Sequence, residues 1–278
     1  HQFNFINPKI GAVGHIGNLM QVYASFAIAN REPSRNNYKD ADVGYEPKPE
    51  QLQDYEAGVR VNTSNFAFAA NFFYMNYKDQ LVATGKINNV REAIMINVPK
   101  SYRMGVELTG GAQIIAPLRW DFNLTLSKNK IKNFVMHIDK YDDNWADLGQ
   151  DAVELGTTNL ILSPNTIANS IFTYEPISNF RMSLISKYVS RQYIDNTSYE
   201  YNSIDPYFVN DIKFSYSFST NFFKAIRLHL DINNVLSEKY ASYGWVYNYT
   251  YDGQRGEDID GYFAMAPINF MTGITLEF

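Results

Sequence analysis

Four histidines, His1, His15, His137 and His229, and no cysteine make up the imidazole and thiol content of these 278 residues. The histidines match no metal-ligand spacing, and without thiolates disulfide frameworks and thiolate metal sites are excluded. No serine, histidine and carboxylate fall into a nucleophilic arrangement. The sequence therefore predicts no catalytic residue, no metal site and no cofactor. His229 sits among alternating polar residues, where a hydrogen-bonded structural role is the simpler reading.

Binding chemistry is better represented. Tyr243, Trp245, Tyr247, Tyr249 and Tyr251 alternate strictly, so on one extended strand all five rings share a face. Such a platform suits stacking on a sugar, a catechol or a corrin, with phenol hydroxyls orienting the ligand. The plainer alternative is packing between loops, or a girdle at a membrane interface. Asp252 and Gly253 follow as a hairpin-turn signal. Arg31 and Arg35, in REPSRNNYKD, are candidates to meet an anionic ligand, with a solvated loop as the simpler account. The acidic run Asp139 to Asp151 offers oxygen ligands to a cation. It lacks the spacing of a defined calcium loop, and a solvated surface explains it more simply.

The elements that must position these residues are strands. Aromatic residues reach 15% and charged residues only 19%. A net charge of −5 leaves no basic footprint for nucleic acid. No apolar run approaches the roughly 18–20 residues of a membrane helix, and the mean hydropathy is −0.31. Neither observation speaks against a membrane barrel, whose strands alternate apolar and polar residues. Leu118, Trp120, Phe122, Leu124 and Leu126 alternate with Arg119, Asp121, Asn123, Thr125 and Ser127. Ile226, Leu228, Leu230 and Ile232 alternate with Arg227, His229, Asp231 and Asn233. Near the end, Ile268, Phe270, Ile274, Leu276 and Phe278 alternate with Asn269, Gly273, Thr275 and Glu277, interrupted at Met271–Thr272.

Eleven such segments are predicted, at 7–16, 20–30, 51–62, 66–78, 98–110, 118–131, 166–176, 179–192, 206–218, 226–237 and 265–278. The first and seventh alternate poorly. Short turns near 17–18, 63–65, 111–117, 177–178 and 220–225 take turns with long polar loops at 31–50, 79–97, 132–165, 193–205 and 238–264. A soluble sandwich or solenoid explains alternation within a strand but not this order of connections. A membrane barrel keeps its short turns on one side and its long loops on the other. The expected fold class is thus all-β, a transmembrane antiparallel β-barrel occupying 1–278 as one domain.

Four stretches carry a family resemblance. PEQLQDYEAGVR, from Pro49, and NFFYMNYKDQLV, from Asn71, resemble successive strands of the TonB-dependent receptors. DINNVLSEKY, from Asp231, resembles their penultimate strand, with Val235 and Leu236 where Leu-Phe is usual. GYFAMAPINFMTGITLEF resembles their last strand, with Pro267, Asn269, Phe270, Gly273 and Phe278 in place. The resemblance spans essentially the whole chain. It implies about 22 strands around an N-terminal plug. Eleven strands are then the C-terminal half of the barrel, with the plug and the TonB-contacting segment outside this sequence. The implied role is import of a scarce nutrient by an integral protein of the bacterial outer membrane. A ferric siderophore leads, with cobalamin or a glycan as other family substrates. The implied partners are the plug and remaining strands, the TonB complex, outer-membrane lipid and a small nutrient ligand. A passive porin or an adhesin is the competing reading, and a soluble carbohydrate-binding β-protein a third.

Overall fold

A computed structural model describes residues 2–41, 44–87, 93–256 and 259–278. All eleven expected strands form: β1 (Lys9–Ile16), β2 (Met20–Arg31), β3 (Glu50–Asn62), β4 (Phe66–Ile87), β5 (Ala93–Ile115), β6 (Leu118–Tyr141), β7 (Thr166–Ile177), β8 (Phe180–Val189), β9 (Tyr207–Phe218), β10 (Ala225–Asn233) and β11 (Asn269–Glu277). They pair antiparallel in chain order, so the wall is an up-and-down meander. In such a meander successive connections fall at opposite ends. The short turns therefore gather at one end of the sheet and the long loops at the other. Among the described residues β1 and β11 each have a strand on one side only.

Side-chain alternation becomes rows across the sheet. Val22, Val59, Ala70, Leu108, Leu124, Ala168, Tyr188 and Phe208 stand opposite one another through eight strands. A second apolar row runs Phe66, Ala112, Trp120, Phe172, Leu184, Ile212, Ile232 and Phe270. One register step away lies Gln21, Arg60, Ala69, Thr109, Asn123, Asn169, Lys187 and Val209. The apolar face is not packed against anything: Phe72, Phe270 and Ile274 are more than half exposed. Phe26, Tyr55, Tyr74 and Tyr102 form a chain of rings across it, with centroids 4.7, 6.2 and 6.3 Å apart. A broad apolar face with an aromatic belt matches a lipid-facing wall.

The polar face holds its charges in pairs. Arg119 meets Asp121, Arg181 meets Glu175, and Lys213 lies 3.6 Å from Asp231. At Met271–Thr272 the sequence pattern lapses but the pleat does not. Thr272 stands opposite Leu230 on the apolar side, and Met271 opposite Asp231 on the polar one. The His229 ring lies across Gly273, leaving no room there for a Cβ.

Gly58, in the Tyr55–Arg60 motif, has a similar reason. The Tyr23 phenol crosses it, donates to Asn71 at 2.9 Å and lies 5.1 Å beneath the Arg60 guanidinium. A Cβ at 58 would stand 2.5 Å from both the Tyr23 hydroxyl and the Ala70 carbonyl. Gly58→Ala should therefore destabilise the folded wall by about 1–3 kcal/mol, the usual penalty for overpacking. A denaturant midpoint for the refolded full-length protein measures it, and an unchanged midpoint would contradict this packing.

Two expectations need correction. The loops placed at 79–97 and 132–165 are largely strand: Asp147–Asn159 forms a further strand paired antiparallel with the end of β6, and β4, β5 and β6 run for 22, 23 and 24 residues. That is about twice a membrane crossing of roughly 9–11 residues, so these strands project well past the wall. Asp79, at φ 52°, and Pro99, which lacks an N–H, hid the continuation by breaking the alternation. The turn expected at 111–117 shrinks to Ala116–Pro117 for the same reason, since β5 reaches Ile115. Within the loop at 31–50 a short helix, α1 (Arg35–Lys39), starts from a Ser34–Asn37 capping box.

Candidate functional site

Beyond Asp79 and Pro99 the two strands exchange faces. Gln80 hydrogen-bonds Ser101 of the polar face, and Val82, Val98 and Ile131 pack together. The inward surface thus changes from polar to apolar as it leaves the wall. Phe134, Met136 and Leu160 complete that cluster. A second one, Ile194, Ile204 and Val246, is brought by the loops at 190–206 and 238–264. The described hydrophobic clusters lie toward the long-loop end, beyond the broad apolar face of the wall.

Side-chain hydrogen bonds hold the loops there. Asn97 accepts from the Tyr45 hydroxyl and the Lys48 N–H, each at 2.7 Å, and donates to the carbonyls of Lys48 and Asp79. Asn196 accepts from the Ile161 N–H at 2.9 Å and donates to the Ala83 carbonyl at 2.6 Å. The buried Asp195 carboxylate accepts from the Thr197 N–H and hydroxyl and from the Asn202 amide. Together these frame an open cavity of about 420 Å³ lined by segments of all five long connections. Ile96, Phe134, Met136 and Val246 supply its apolar wall, and His137 and Asn248 reach it as polar groups.

The five rings take another position. The segment expected as one extended strand breaks at Asn248. Residues Ala241–Tyr247 pair with Ile259–Ala264, while Tyr249–Tyr251 run parallel to the end of β6. All five rings are half-buried, on the side away from Gly244, Val246 and Asn248. Tyr243 meets Phe263 edge-on at 5.3 Å. The Trp245 indole covers Gly261, where a Cβ would stand 2.5 Å from Nε1. Tyr247 donates to Asp139 at 2.8 Å and shares a 2.9 Å bond with the Tyr141 hydroxyl. Burial first, then these two bonds, hold its phenol far above the usual tyrosine range. Tyr249 and Tyr251 lie 5.7 and 4.6 Å from Trp145, and Tyr251 donates to the Asp143 carbonyl.

Of the charged candidates, Arg31 is neutralised by Glu50 at 2.9 Å, and Arg35 opens α1. The carboxylates of the acidic run shape turns. Asp142 accepts from the N–H groups of Asn144 and Ala146, Asp147 from that of Gly149, and Asp151 pairs with Lys140 at 3.0 Å. Among the described residues no group of three or more acidic or imidazole side chains could hold a metal ion.

Sequence reasoning passed over Trp145, which sits at the centre of the ring nest, and Val246 and Asn248, which line the cavity. A signal for the latter two was present. If alternate rings share one face, the residues between them share the other, and Gly244, Val246 and Asn248 are small or apolar enough to be buried.

The family model described as TonB dependent receptor-like, beta-barrel matches residues 1–235. No curated protein sequence matches the chain. Among solved structures, the ferric-catecholate import receptor Fiu of E. coli K12 is similar at a TM-score of 0.65 and 17% identity, over 97% of this chain and 34% of that one. BauA, the ferric preacinetobactin receptor of Acinetobacter baumannii, is similar at a TM-score of 0.64 and 13% identity, over 98% and 36%. The copper transporter OprC is similar at a TM-score of 0.60 and 16% identity, over 84% and 34%. At such identities the likeness shows the fold alone, and the chain spans about a third of the length of these three proteins.

Proposed function

Because the chain belongs to the TonB-dependent receptor-like β-barrel family, we propose that it is part of the wall and mouth of an outer-membrane importer of a scarce nutrient. Members and structural relatives are transporters or receptors, not enzymes, and the family's barrels are outer-membrane proteins. The observation that carries the proposal is the arrangement of one apolar face, one polar face and five long connections converging on a cavity at a single end. On this reading the apolar face meets lipid and the long-loop end is extracellular. Lipid leaves no water to satisfy an unpaired strand, so β1 and β11 each require a further strand. Those strands and a plug inside them are the proposed partners, with TonB coupling through a segment beyond this sequence. A ferric siderophore is the first ligand class to try, since two of the structural relatives above are a ferric-catecholate import receptor and a ferric preacinetobactin receptor.

Tyr243, Trp245, Tyr247, Tyr249 and Tyr251, with Arg31 and Arg35, are proposed as an outer surface over which the ligand passes. The test is uptake of radiolabelled iron chelates by cells carrying the full-length protein, with and without a proton-motive-force uncoupler. Uptake that the uncoupler abolishes is expected; uptake unaffected by it would indicate a passive pore. In the same protein, replacing Trp245 and Tyr247 together by Ala should weaken binding by at least ~1–2 kcal/mol, as removal of aromatic anchors does. Unchanged affinity with intact folding would leave these rings a packing role alone.

A further inference from the structure

Resting on the reading of this chain as part of an import receptor, we infer that the cavity beside Asn248 binds an uncharged, hydrogen-bond-donating part of the ligand. The receptor then selects against strongly anionic chelates. Asn248 is only 9% exposed, lines the cavity, and its amide Oδ1 has no hydrogen-bond partner. A buried acceptor without a donor is costly, and a ligand that brings an O–H or N–H to it removes that cost on binding. Of the other amides around the cavity, Gln150 is exposed to solvent and donates to Asp139 at 2.8 Å. Both ends of Asn97 and Asn196 are engaged with the loops they staple. Ile96, Phe134, Met136 and Val246 give the ligand's apolar portion a surface.

Charge weighs against the anionic alternative. No Lys or Arg is among the described residues lining the cavity, whereas the buried Asp195 carboxylate is. The segments at the long-loop end, 31–49, 79–97, 132–165, 190–206 and 238–264, carry twenty acidic and eleven basic residues. Several of those cations are already paired: Arg31 with Glu50, Lys140 with Asp151, and Arg191 with Glu200 and Asp205. A mouth with this balance lowers the local concentration of a polyanion and raises that of a neutral or cationic ligand.

The test measures affinity on the full-length receptor in detergent for four probes: a neutral ferric tris-hydroxamate, a cationic one, a trianionic ferric tris-catecholate and a neutral hexasaccharide. The neutral or cationic probes should bind at least about tenfold more tightly than the tris-catecholate. Asn248→Leu should lower affinity for the tightest probe about tenfold, while Asn248→Asp, which keeps the acceptor, should retain most of it for a donor-bearing probe. The unliganded Asn248→Leu protein should be as stable as the parent or more so, because it loses an unsatisfied polar atom; a residue that only held the loop would lose stability instead. Tightest binding of the tris-catecholate overturns the inference, as does undiminished affinity in Asn248→Leu, or no binding of any probe. Uncoupler-sensitive uptake of the tris-catecholate would leave import standing while this inference falls. Tight binding of a neutral probe without energised uptake would do the reverse.

Discussion

Deleting residues 269–278 from the full-length protein is expected to abolish its folded, heat-modifiable band on a gel. Those residues are β11 and the terminal Phe278. Nine register pairs, from Ala225–Glu277 to Asn233–Asn269, join β11 to β10. Phe278 also packs its ring 5.0 Å from Phe223, in the last short turn. Without β11 the outer edge of β10 would face lipid, where each unpaired backbone group costs several kcal/mol. With β9 on its opposite edge, β10 would then be paired on one side only. The terminal aromatic residue also resembles the family's recognition signal for insertion. Retention of the heat-modifiable band after the deletion would show that β11 is dispensable.

Replacing Phe122 by Arg should destabilise the inserted barrel by about 2–4 kcal/mol, and replacing its neighbour Asn123 by Arg far less. Phe122 packs 4.8 Å from Trp120 on the apolar face and covers Gly110. Asn123 is on the opposite face, accepts from the Asn169 amide at 2.9 Å and stands in the row that contains Arg60 and Lys187. A guanidinium at 122 is thrust into hydrocarbon, whereas one at 123 joins groups that are already polar. Unfolding from vesicles, followed by tryptophan fluorescence, compares the two. Equal tolerance would mean that the faces have been assigned the wrong way round.

Both predictions use features that were legible in the residues themselves. Leu118 to Ser127 show the lipid and lumen faces at a glance, because a strand has period two and the two environments differ sharply in polarity. Even the weak segments at 7–16 and 166–176 proved to be strands, held by neighbours whose pattern is clear. Pairing across the five short turns was legible too, since a turn of a few residues leaves an antiparallel neighbour as the only reachable partner.

The long-loop end was a different matter. Its geometry depends on contacts that no local period announces: Asn97 with Lys48, Tyr247 with Asp139 across 108 residues, and Asn196 with Ala83 across 113. One interruption, Asp79 opposite Pro99, reads in sequence as the end of two strands. In three dimensions it reverses their faces and turns an apolar surface inward above the membrane. The alternation of the five rings was legible, but the break at Asn248 that splits their segment between two partner strands was not, and which face meets the cavity was decided by what lay across from it. Sequence alone determined the wall, because lipid and water impose a repeating demand on every second residue. Tertiary structure alone decided the site, because loops free of lipid are held only by side chains meeting from distant parts of the chain.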